Sequence, residues 1–170
     1  MRWDGDVSAH CKKGCYMKAV LQRVTHARVE IDGRTVGECG KGLMILLGVA
    51  EGDTEADLDR LLAKIVKLRI FEDEGGKMNR SVQDIGGEML VVSQFTLMAN
   101  YRHVNRPDFL GAAAPAEATR LYELFLKKAA TYVSHVGHGE FGADMQVSLC
   151  NDGPVTIVMD SDVLKPAARA

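Results

Sequence analysis

Polar side chains end an otherwise apolar segment in the middle of the chain. The run 89–92 is typical of a buried strand, and Ser93-Gln94-Phe95-Thr96-Leu97 follows it directly. Burying hydroxyl and amide groups without partners is costly, and α/β proteins place their sites where strands end. The segment therefore predicts a ligand site built from hydroxyls, an amide and backbone N–H groups. A strand end that frays into a polar loop is the alternative.

A second cluster, Asn151-Asp152-Gly153-Pro154-Val155-Thr156, lies near the end of the chain. Its pattern predicts a tight turn that joins two strands, 145–150 and 155–160. Glycine permits unusual φ values, and an X–Pro bond is the common place for a cis peptide. A cis Gly153–Pro154 bond would aim two carbonyl oxygens the same way and offer a rigid pair of acceptors.

Other motifs point to chemistry less strongly. Residues 137–142 match G-x-G-x-x-G, but here a predicted helix precedes and a strand follows, which is the reverse of a dinucleotide site. We expect a flexible connector there. Two further sets contain metal-ligating residue types without a compelling spacing, namely His135, His138, Asp144 and Cys150, and His10, Cys11 and Cys15. The sequence therefore predicts no metal and no cofactor.

Composition limits the class of protein. With 170 residues, 46% of them hydrophobic, and a net charge of −2, the chain fits one globular domain and not a disordered one. The longest apolar run, 43–50, is too short to span a membrane. A protein that grips nucleic acid over a long footprint is usually basic, so we expect either no nucleic-acid binding or binding of a short end only.

Alternating and apolar segments predict the elements that position these residues. One strand is expected from 18–24 with its alternation continuing through 27–31, and further strands at 34–38 after the Asp32-Gly33 hairpin turn, at 43–49 and at 88–95. Thr54 and Asp57 stand at capping-box spacing before an amphipathic helix. Pro115 begins a second helix that reaches about His135, with one face formed by Ala118, Leu121, Phe125, Ala129 and Tyr132.

The order β-β-β-α-β-α-β-β predicts an α/β fold, a single-domain mixed sheet with both helices packed on one face. The uncovered face needs burial, so we expect a second copy to dimerise through the sheet side. Residues 1–16 lack periodicity and are expected to be an N-terminal extension outside the fold. The domain is then 17–162, and 163–170 is a tail. Absence of a secretory signal, together with the cysteine spacing, favours the cytoplasm and reduced thiols.

Four segments together resemble a known family. They are Met17-Lys18-Ala19-Val20-Leu21-Gln22-Arg23-Val24, Ser93-Gln94-Phe95-Thr96-Leu97, Phe141-Gly142-Ala143-Asp144-Met145 and Asn151-Asp152-Gly153-Pro154-Val155-Thr156. Occurring in this order, they resemble the D-aminoacyl-tRNA deacylases of the D-tyrosyl-tRNA deacylase type. The resemblance covers 17 to about 160. Residues 98–107 depart from it, because they carry less charge than the Lys-Lys-Gly-Arg-Arg-Pro loop typical of bacterial members.

The resemblance implies a deacylase-type homodimer that hydrolyses the ester between a D-amino acid and the 3′-terminal adenosine of tRNA. Each active site would combine Ser93, Gln94, Phe95 and Thr96 of one subunit with Gly153 and Pro154 of the other. Phe141 and Met145 would also bind substrate, and Arg23 would hold the turn across the dimer. Phosphate contacts are expected from Arg102, Arg106, Lys64 and Lys67, with Arg60 a further candidate, although solvated surface charges are an equal alternative.

Two routes for the attack stay open. Thr96 Oγ could be the nucleophile, or water could attack with help from the ribose 2′-OH; the second is favoured because no base stands near Thr96 in sequence. Backbone N–H groups of Phe95 and Thr96 would hold the oxyanion. Rejection of L side chains at the Gly153–Pro154 carbonyls would give chirality, and glycine would not be rejected. The rival classes are a non-catalytic binding module and a metal-dependent hydrolase that uses residues 135–150.

Overall fold

The computed structural model describes residues 16–166. Eight strands and two α-helices follow one another along these residues, with a 3-10 helix after β6 and another after β8. Their bounds are β1 Lys18–Ile31, β2 Arg34–Cys39, β3 Gly42–Gly48, α1 Glu55–Ile65, β4 Phe71–Glu72, β5 Met78–Arg80, β6 Glu88–Ser93, 3-10 helix Phe95–Met98, α2 Pro115–Ala129, β7 Val136–His138, β8 Gln146–Asp160 and 3-10 helix Ser161–Leu164.

One mixed six-stranded sheet organises the fold. Its order is β2-β1-β3-β6-β7, with β8 on the other edge of β1. The strand β1 pairs antiparallel with β3 through 18–24 and with β2 through 27–31, across the predicted hairpin turn at Asp32-Gly33. The strand β6 runs parallel to β3, so that Ser93 lies opposite Leu47 at one end of the sheet. The predicted polar segment therefore begins where β6 ends, at one end of the sheet.

The sheet nearly closes on itself where β7 approaches β2. A Cβ added to Gly37 would lie 2.1 Å from the backbone oxygen of His138, and one added to Gly137 would lie 2.2 Å from that of Glu38. Only glycine allows backbones to pass this closely. The Gly137–Gly142 motif is therefore not a flexible connector at its start, where it forms β7 and packs backbone against backbone.

Two apolar clusters lie on opposite faces of the sheet. Leu43, Ile45 and Leu47 face both helices, in a cluster that includes Leu61 of α1 and Phe125 of α2. On the other face, Met44, Leu90 and Val92 pack against Val24, Ala27 and Val29, because the second half of β1 curls over them. The expectation of two helices on one face is confirmed. The second face is covered largely by the chain's own strands, so the need for burial does not by itself require a second copy.

Both helices begin where the sequence predicts. Thr54 caps α1 through the reciprocal hydrogen bonds with Asp57, and Pro115 occupies the first turn of α2. The predicted end of α2 at about His135 is wrong, because the helix ends at Ala129. Thr131 and Val133, which are β-branched and poor helix formers, follow in a turn. Tyr132 is consequently exposed and does not continue the apolar face.

The predicted pair of strands joined by a turn at 151–154 is also wrong. Residues 146–160 form one strand, and both of its halves pair with β1 in the same direction. Asn151 lies opposite Val24 and Thr156 opposite Gln22, so four residues bulge out opposite Arg23 alone. Asn151 Oδ1 accepts from the Val155 N–H at 3.0 Å and closes the bulge. Residues 152–155 form a bulge and not a turn between two strands, because the residues before and after them both pair with β1.

The first described residues are held by a buried carboxylate. Asp53 accepts hydrogen bonds from the backbone N–H of Met17 at 3.0 Å and of Ala50 at 2.6 Å. Residues 1–15 and 167–170, and with them His10, Cys11, Cys15 and the second half of the predicted tail, lie outside the described part. Within it, Cys39 and Cys150 are free thiols. None of the helices in 16–166 has the length and apolar character needed to cross a membrane.

Candidate active site

A cavity of about 690 Å³ opens at the end of the sheet where β3 and β6 finish. Five of the residues predicted for the site line it: Ser93, Gln94, Phe95, Phe141 and Met145. The first residues of α2 form another wall, and most of the remaining lining is aliphatic. An apolar cavity with a few polar groups at one side is the usual form of a small-molecule or nucleoside site.

The predicted strand at 88–95 ends earlier than expected, at Ser93, and the chain turns into the 3-10 helix Phe95–Met98. The Gln94 N–H donates to the Leu47 carbonyl at 2.8 Å and fixes the point of departure. The backbone N–H groups of Phe95 and Thr96 begin the 3-10 helix and meet no acceptor within residues 16–166. Phe95 lines the cavity and Thr96 follows it without being part of the lining. Two adjacent N–H groups without a partner, beside a cavity, are suited to hold an oxyanion.

The side chain of Thr96 is exposed, and its Oγ1 is hydrogen-bonded to the Gln94 side-chain amide. An amide does not remove a proton from a hydroxyl near neutral pH, so this pair does not activate Thr96 as a nucleophile. Its effect is to hold the Gln94 side chain, which lines the cavity, against the side chain of Thr96.

Two residues that were not predicted from the sequence belong to this region: Tyr122 lines the cavity, and Phe109 packs against the lining residue Phe95. The Tyr122 hydroxyl donates to the Val91 carbonyl at 2.8 Å, and burial raises the pKa of this phenol to about 12. Its ring lies 6.2 Å from that of Phe141, centroid to centroid. Phe109 contacts Phe95 edge to face at 5.0 Å. The i, i+4 spacing of Ala118 and Tyr122 places both on one face of α2, but this spacing is equally typical of a core residue and of a cavity wall.

Arg23 holds the bulge of its own chain. Its side chain is buried, with 5% of the residue exposed. Nη1 donates to the Ile70 carbonyl at 2.7 Å, and Nε donates to the Asp152 carbonyl at 3.0 Å. The expectation that Arg23 reaches across a dimer is therefore wrong, because the register of β1 and β8 places it against its own bulge. The Gly153–Pro154 peptide bond is cis, and Gly153 has a φ of +121°.

The bulge and the cavity lie apart within one chain. The strands β1 and β3 stand between β8 and β6, which separates the outer two by about 14 Å. Ser93 also lies in the row of Leu47, Ala19 and Met159, six residues along β8 from Gly153. One chain therefore does not bring Gly153 or Pro154 to Ser93–Thr96.

The predicted cationic contacts form two groups. Arg102 and Arg106 are exposed in the loop that follows the 3-10 helix, beside the cavity. Lys64 and Lys67 are exposed at the far end of α1, roughly 15 Å along the helix from the end that lies near the cavity. Arg60 is paired with Asp57 at 2.7 Å.

The histidines considered as metal ligands bind backbone oxygens instead. His135 Nε2 lies 2.9 Å from the Glu38 carbonyl, and His138 Nδ1 lies 2.8 Å from that of Gly139. Across 16–166, no three His, Cys, Asp or Glu side chains are grouped to hold a metal ion.

Comparison with known proteins gives consistent relatives. The chain is 62% identical to the D-aminoacyl-tRNA deacylase of Variovorax paradoxus over 141 residues, which cover 83% of this chain and 97% of that protein. It is 58% identical to the D-aminoacyl-tRNA deacylase of Ruegeria pomeroyi over 144 residues, 85% of this chain and 99% of that protein.

Solved structures share the fold. The c-Myc DNA unwinding element binding protein superposes with a TM-score of 0.81 at 43% identity, over 88% of this chain and 99% of that one. A probable eukaryotic D-amino acid tRNA deacylase superposes with a TM-score of 0.73 at 17% identity, over 85% and 98%, and supports the fold alone. The family model for D-Tyr-tRNA(Tyr) deacylase matches residues 20–160. The chain therefore belongs to the D-Tyr-tRNA(Tyr) deacylase family.

Proposed function

We propose that this protein hydrolyses the ester bond of D-aminoacyl-tRNA and releases free tRNA and the D-amino acid. It is a hydrolase of translational proofreading, as its family and its named relatives indicate. The single observation that carries the proposal is the cavity lined by Ser93, Gln94 and Phe95, with the unpaired N–H groups of Phe95 and Thr96 following directly.

The cavity is suited to the terminal adenosine. Phe141 and Met145 offer an aromatic face and a polarizable sulfur to a base. Ser93 and Gln94 offer a hydroxyl and an amide to the ribose and the ester carbonyl. The cavity volume of about 690 Å³ is within the range of small-ligand sites.

Hydrolysis of an aminoacyl ester needs positioning and charge stabilisation more than a strong base, because the ester is already activated. The N–H groups of Phe95 and Thr96 stabilise the tetrahedral oxyanion. Water attacks the carbonyl carbon, and the ribose 2′-OH of the substrate assists it. The absence of a basic partner for Thr96 within residues 16–166 favours this route over attack by Thr96 Oγ.

Chirality is enforced by rejection. Discriminating D from L by several orders of magnitude exceeds what apolar contacts supply, at about 1–3 kcal/mol each. The carbonyls of Gly153 and Pro154 of the partner subunit accept the substrate ammonium and leave no room for an L side chain. The bulge is fixed for this task by Arg23 and Asn151. Such a site makes no contact with the side chain of the substrate, so it accepts many D-amino acids and also glycine.

The protein works as a homodimer with its active sites at the subunit interface. Separation of the bulge from the cavity within one chain supports a site completed by a second copy. Within the described residues, β8 pairs only with β1, and Val158 on this edge strand is 74% exposed. An unpaired edge with exposed apolar groups is suited to association.

Recognition of only the acceptor end of the tRNA agrees with the net charge of −2. Arg102 and Arg106 contact phosphates near the cavity, and Lys64 and Lys67 lie too far from it to serve the same nucleotides. No cofactor or metal takes part in the scheme. Charged tRNA is consumed in the cytoplasm, and we assign the protein there.

The test is release of labelled amino acid from D-Tyr-tRNA, L-Tyr-tRNA and Gly-tRNA in the presence of EDTA. Fast release from the D and glycyl esters, with none from the L ester, is the expected result. Gln94→Ala serves as the matched inactive control, since Gln94 lines the cavity without supporting the core.

Loss of activity in EDTA would indicate a metal-dependent hydrolase. Release from none of the esters by a folded protein would indicate a binding module without catalysis. Strict specificity for one D side chain would contradict the rejection scheme.

A further inference from the structure

The loop beside the cavity forms a closed projection, which we call the finger and define as residues 100–108. Asn100 and Asp108 exchange two backbone hydrogen bonds of 2.9 and 3.0 Å. Their side chains meet as well, with Asn100 Nδ2 donating to Asp108 Oδ2 at 2.9 Å. Three hydrogen bonds at one pair of residues hold the base of the finger together and leave 101–107 to project.

Both ends of the finger are fixed to the cavity wall. Before it, Phe95 lines the cavity and contacts Phe109, which directly follows Asp108. After it, Ala112 lines the cavity and pairs through an isolated bridge with Ala50, two residues after β3. Tyr101 is thus one residue beyond the base of the finger, and the Phe95–Phe109 ring pair lies on the other side of that base.

The finger carries an exposed ring among uncompensated cations. Tyr101 is 75% exposed, so its ring contributes little to the core. Within residues 16–166, no carboxylate lies within ion-pair distance of the Arg102 or Arg106 guanidinium. Asp108 is the acid of the finger, and its oxygens accept from Asn100 Nδ2 and the Leu110 N–H. The finger therefore has a local positive charge that a bound anion would neutralise.

An aromatic ring beside arginines is the combination that binds single-stranded nucleic acid, with the ring stacking on a base and the guanidinium groups taking phosphates. Stacking accepts any base, because every base has a π-face. Only the Asn100–Asp108 pair separates Tyr101 from Phe109, which packs against the cavity wall. The Tyr101 ring is therefore placed to contact the nucleotide next to the one bound in the cavity.

We propose that Tyr101 stacks on the unpaired base immediately 5′ of the terminal adenosine, while Arg102 and Arg106 contact the phosphates of this single-stranded end. The inference rests on the proposed function for the identity of the RNA.

The kinetic test compares two D-tyrosyl esters, one on full tRNA and one on adenosine alone, which has no preceding nucleotide. Tyr101→Ala is expected to raise KM for the tRNA ester about tenfold with kcat unchanged, and to leave hydrolysis of the adenosine ester unaltered. Tyr101→Phe is expected to retain wild-type KM, since it keeps the ring. Tyr132→Ala is the matched control, an exposed tyrosine beyond the other end of α2.

Three kinetic or physical outcomes overturn the proposal. The first is an unchanged KM for the tRNA ester. The second is an equal loss of activity on both esters, which would make Tyr101 part of the cavity itself. The third is a changed oligomeric mass of Tyr101→Ala, which would assign the ring to a subunit contact. Arg102→Ala and Arg106→Ala are each expected to reduce the slope of log KM against log salt by about 1. Unchanged slopes contradict the phosphate contacts.

A binding measurement separates this proposal from the proposed function. Trp3 is the sole tryptophan of the chain, so Tyr101→Trp combined with Trp3→Phe reports on the finger alone. Quenching of its emission by uncharged tRNA, and not by tRNA shortened by its unpaired 3′ nucleotides, is the expected result. Absence of hydrolysis in wild type together with this quenching would reject the deacylase function and keep the platform. Hydrolysis without quenching would reject the platform alone.

Discussion

Arg23 lies so close to Gly153 that a Cβ added to the glycine would stand 2.5 Å from the Arg23 Nη2 atom. The guanidinium is not free to withdraw, because Nη1 is bound to the Ile70 carbonyl and Nε to the Asp152 carbonyl. Gly153 also has a φ of +121°, which L residues with a side chain rarely adopt. Sterics and backbone conformation therefore both require glycine at this position.

Gly153→Ala is expected to lower the free energy of unfolding by about 1–3 kcal/mol and to reduce kcat/KM for D-aminoacyl-tRNA by about 10²-fold. The displaced Arg23 would no longer fix the bulge. Urea unfolding and the release assay measure the two effects. Gly52→Ala is the control, since Gly52 has a φ of +86° but nothing within 4 Å of the added Cβ. Equal losses in both variants would show that contact with Arg23 has no role.

Arg23→Lys is expected to destabilise the protein by on the order of 3 kcal/mol, although the charge is kept. Lysine lacks the planar fork that reaches the carbonyls of Ile70 and Asp152 together, so one buried acceptor loses its partner. Thermal unfolding checks the prediction against Arg28→Lys, an exposed arginine on the same strand. Equal melting temperatures for the two variants would contradict the role given to Arg23.

Local signals predicted a large part of the fold. Asp32-Gly33, the Thr54–Asp57 capping box and Pro115 act within a few residues, and the hairpin and both helix starts lie where they indicate. The strand β7 and the single long β8 depend on pairing with residues distant in the chain. The three residues of β7 carry no strand pattern of their own, and the bulge resembles a turn until β1 is seen on both sides of it.

Residue types predicted which side chains line the cavity better than they predicted which groups those and neighbouring side chains contact. Ser93, Gln94, Phe95, Phe141 and Met145 come together because β6 ends beside the loop that precedes β8. Tyr122 was missed because its helical spacing is that of a core residue. The hydrogen-bond partners of Arg23 depend on the pairing register of β1 and β8. A shift of one residue would turn every side chain of a strand to the opposite face, and the sequence alone does not specify the register.

Asp53 should make stability depend on pH between about 4 and 6. The residue is 8% exposed, and burial raises the pKa of its carboxyl from 3.8 to about 6, against the opposing hydrogen bonds from Ala50 and Met17. Asp57 adds to the rise and Lys165 opposes it. The folded state therefore holds a proton that the unfolded state has released, so this contribution to stability is complete below pH 3.8 and is lost as pH rises through 6.

Urea unfolding of wild type and Asp53→Asn at pH 4 to 7 measures this dependence. The difference in unfolding free energy, wild type minus variant, is expected to fall over that range by no more than about 3 kcal/mol. Asp73→Asn is a suitable control, because hydrogen bonds to the half-buried Asp73 lower the pKa of its carboxyl instead of raising it. A difference that rises with pH would contradict the assigned direction.

Thr96→Ala distinguishes the two routes of attack. Since Thr96 Oγ1 is bound to the Gln94 amide and to no base within residues 16–166, the variant is expected to keep kcat within about tenfold of wild type. A D-aminoacyl-tRNA whose terminal ribose lacks the 2′-OH is expected to be hydrolysed far more slowly by both proteins. Loss of all turnover in Thr96→Ala, with normal hydrolysis of the deoxy substrate, would instead make Thr96 the nucleophile.

Mixing two inactive variants tests whether the cavity of one subunit is completed by the bulge of the other. Gln94→Ala removes the cavity amide, and Gly153→Ala disturbs the bulge, so each homodimer has two defective sites. A heterodimer with one subunit of each kind would have one site carrying both changes and one site carrying neither. Equal amounts, allowed to exchange subunits at random, are therefore expected to recover about a quarter of wild-type activity. If each site belonged to a single chain, every site in the mixture would stay defective and the release assay would show no recovery.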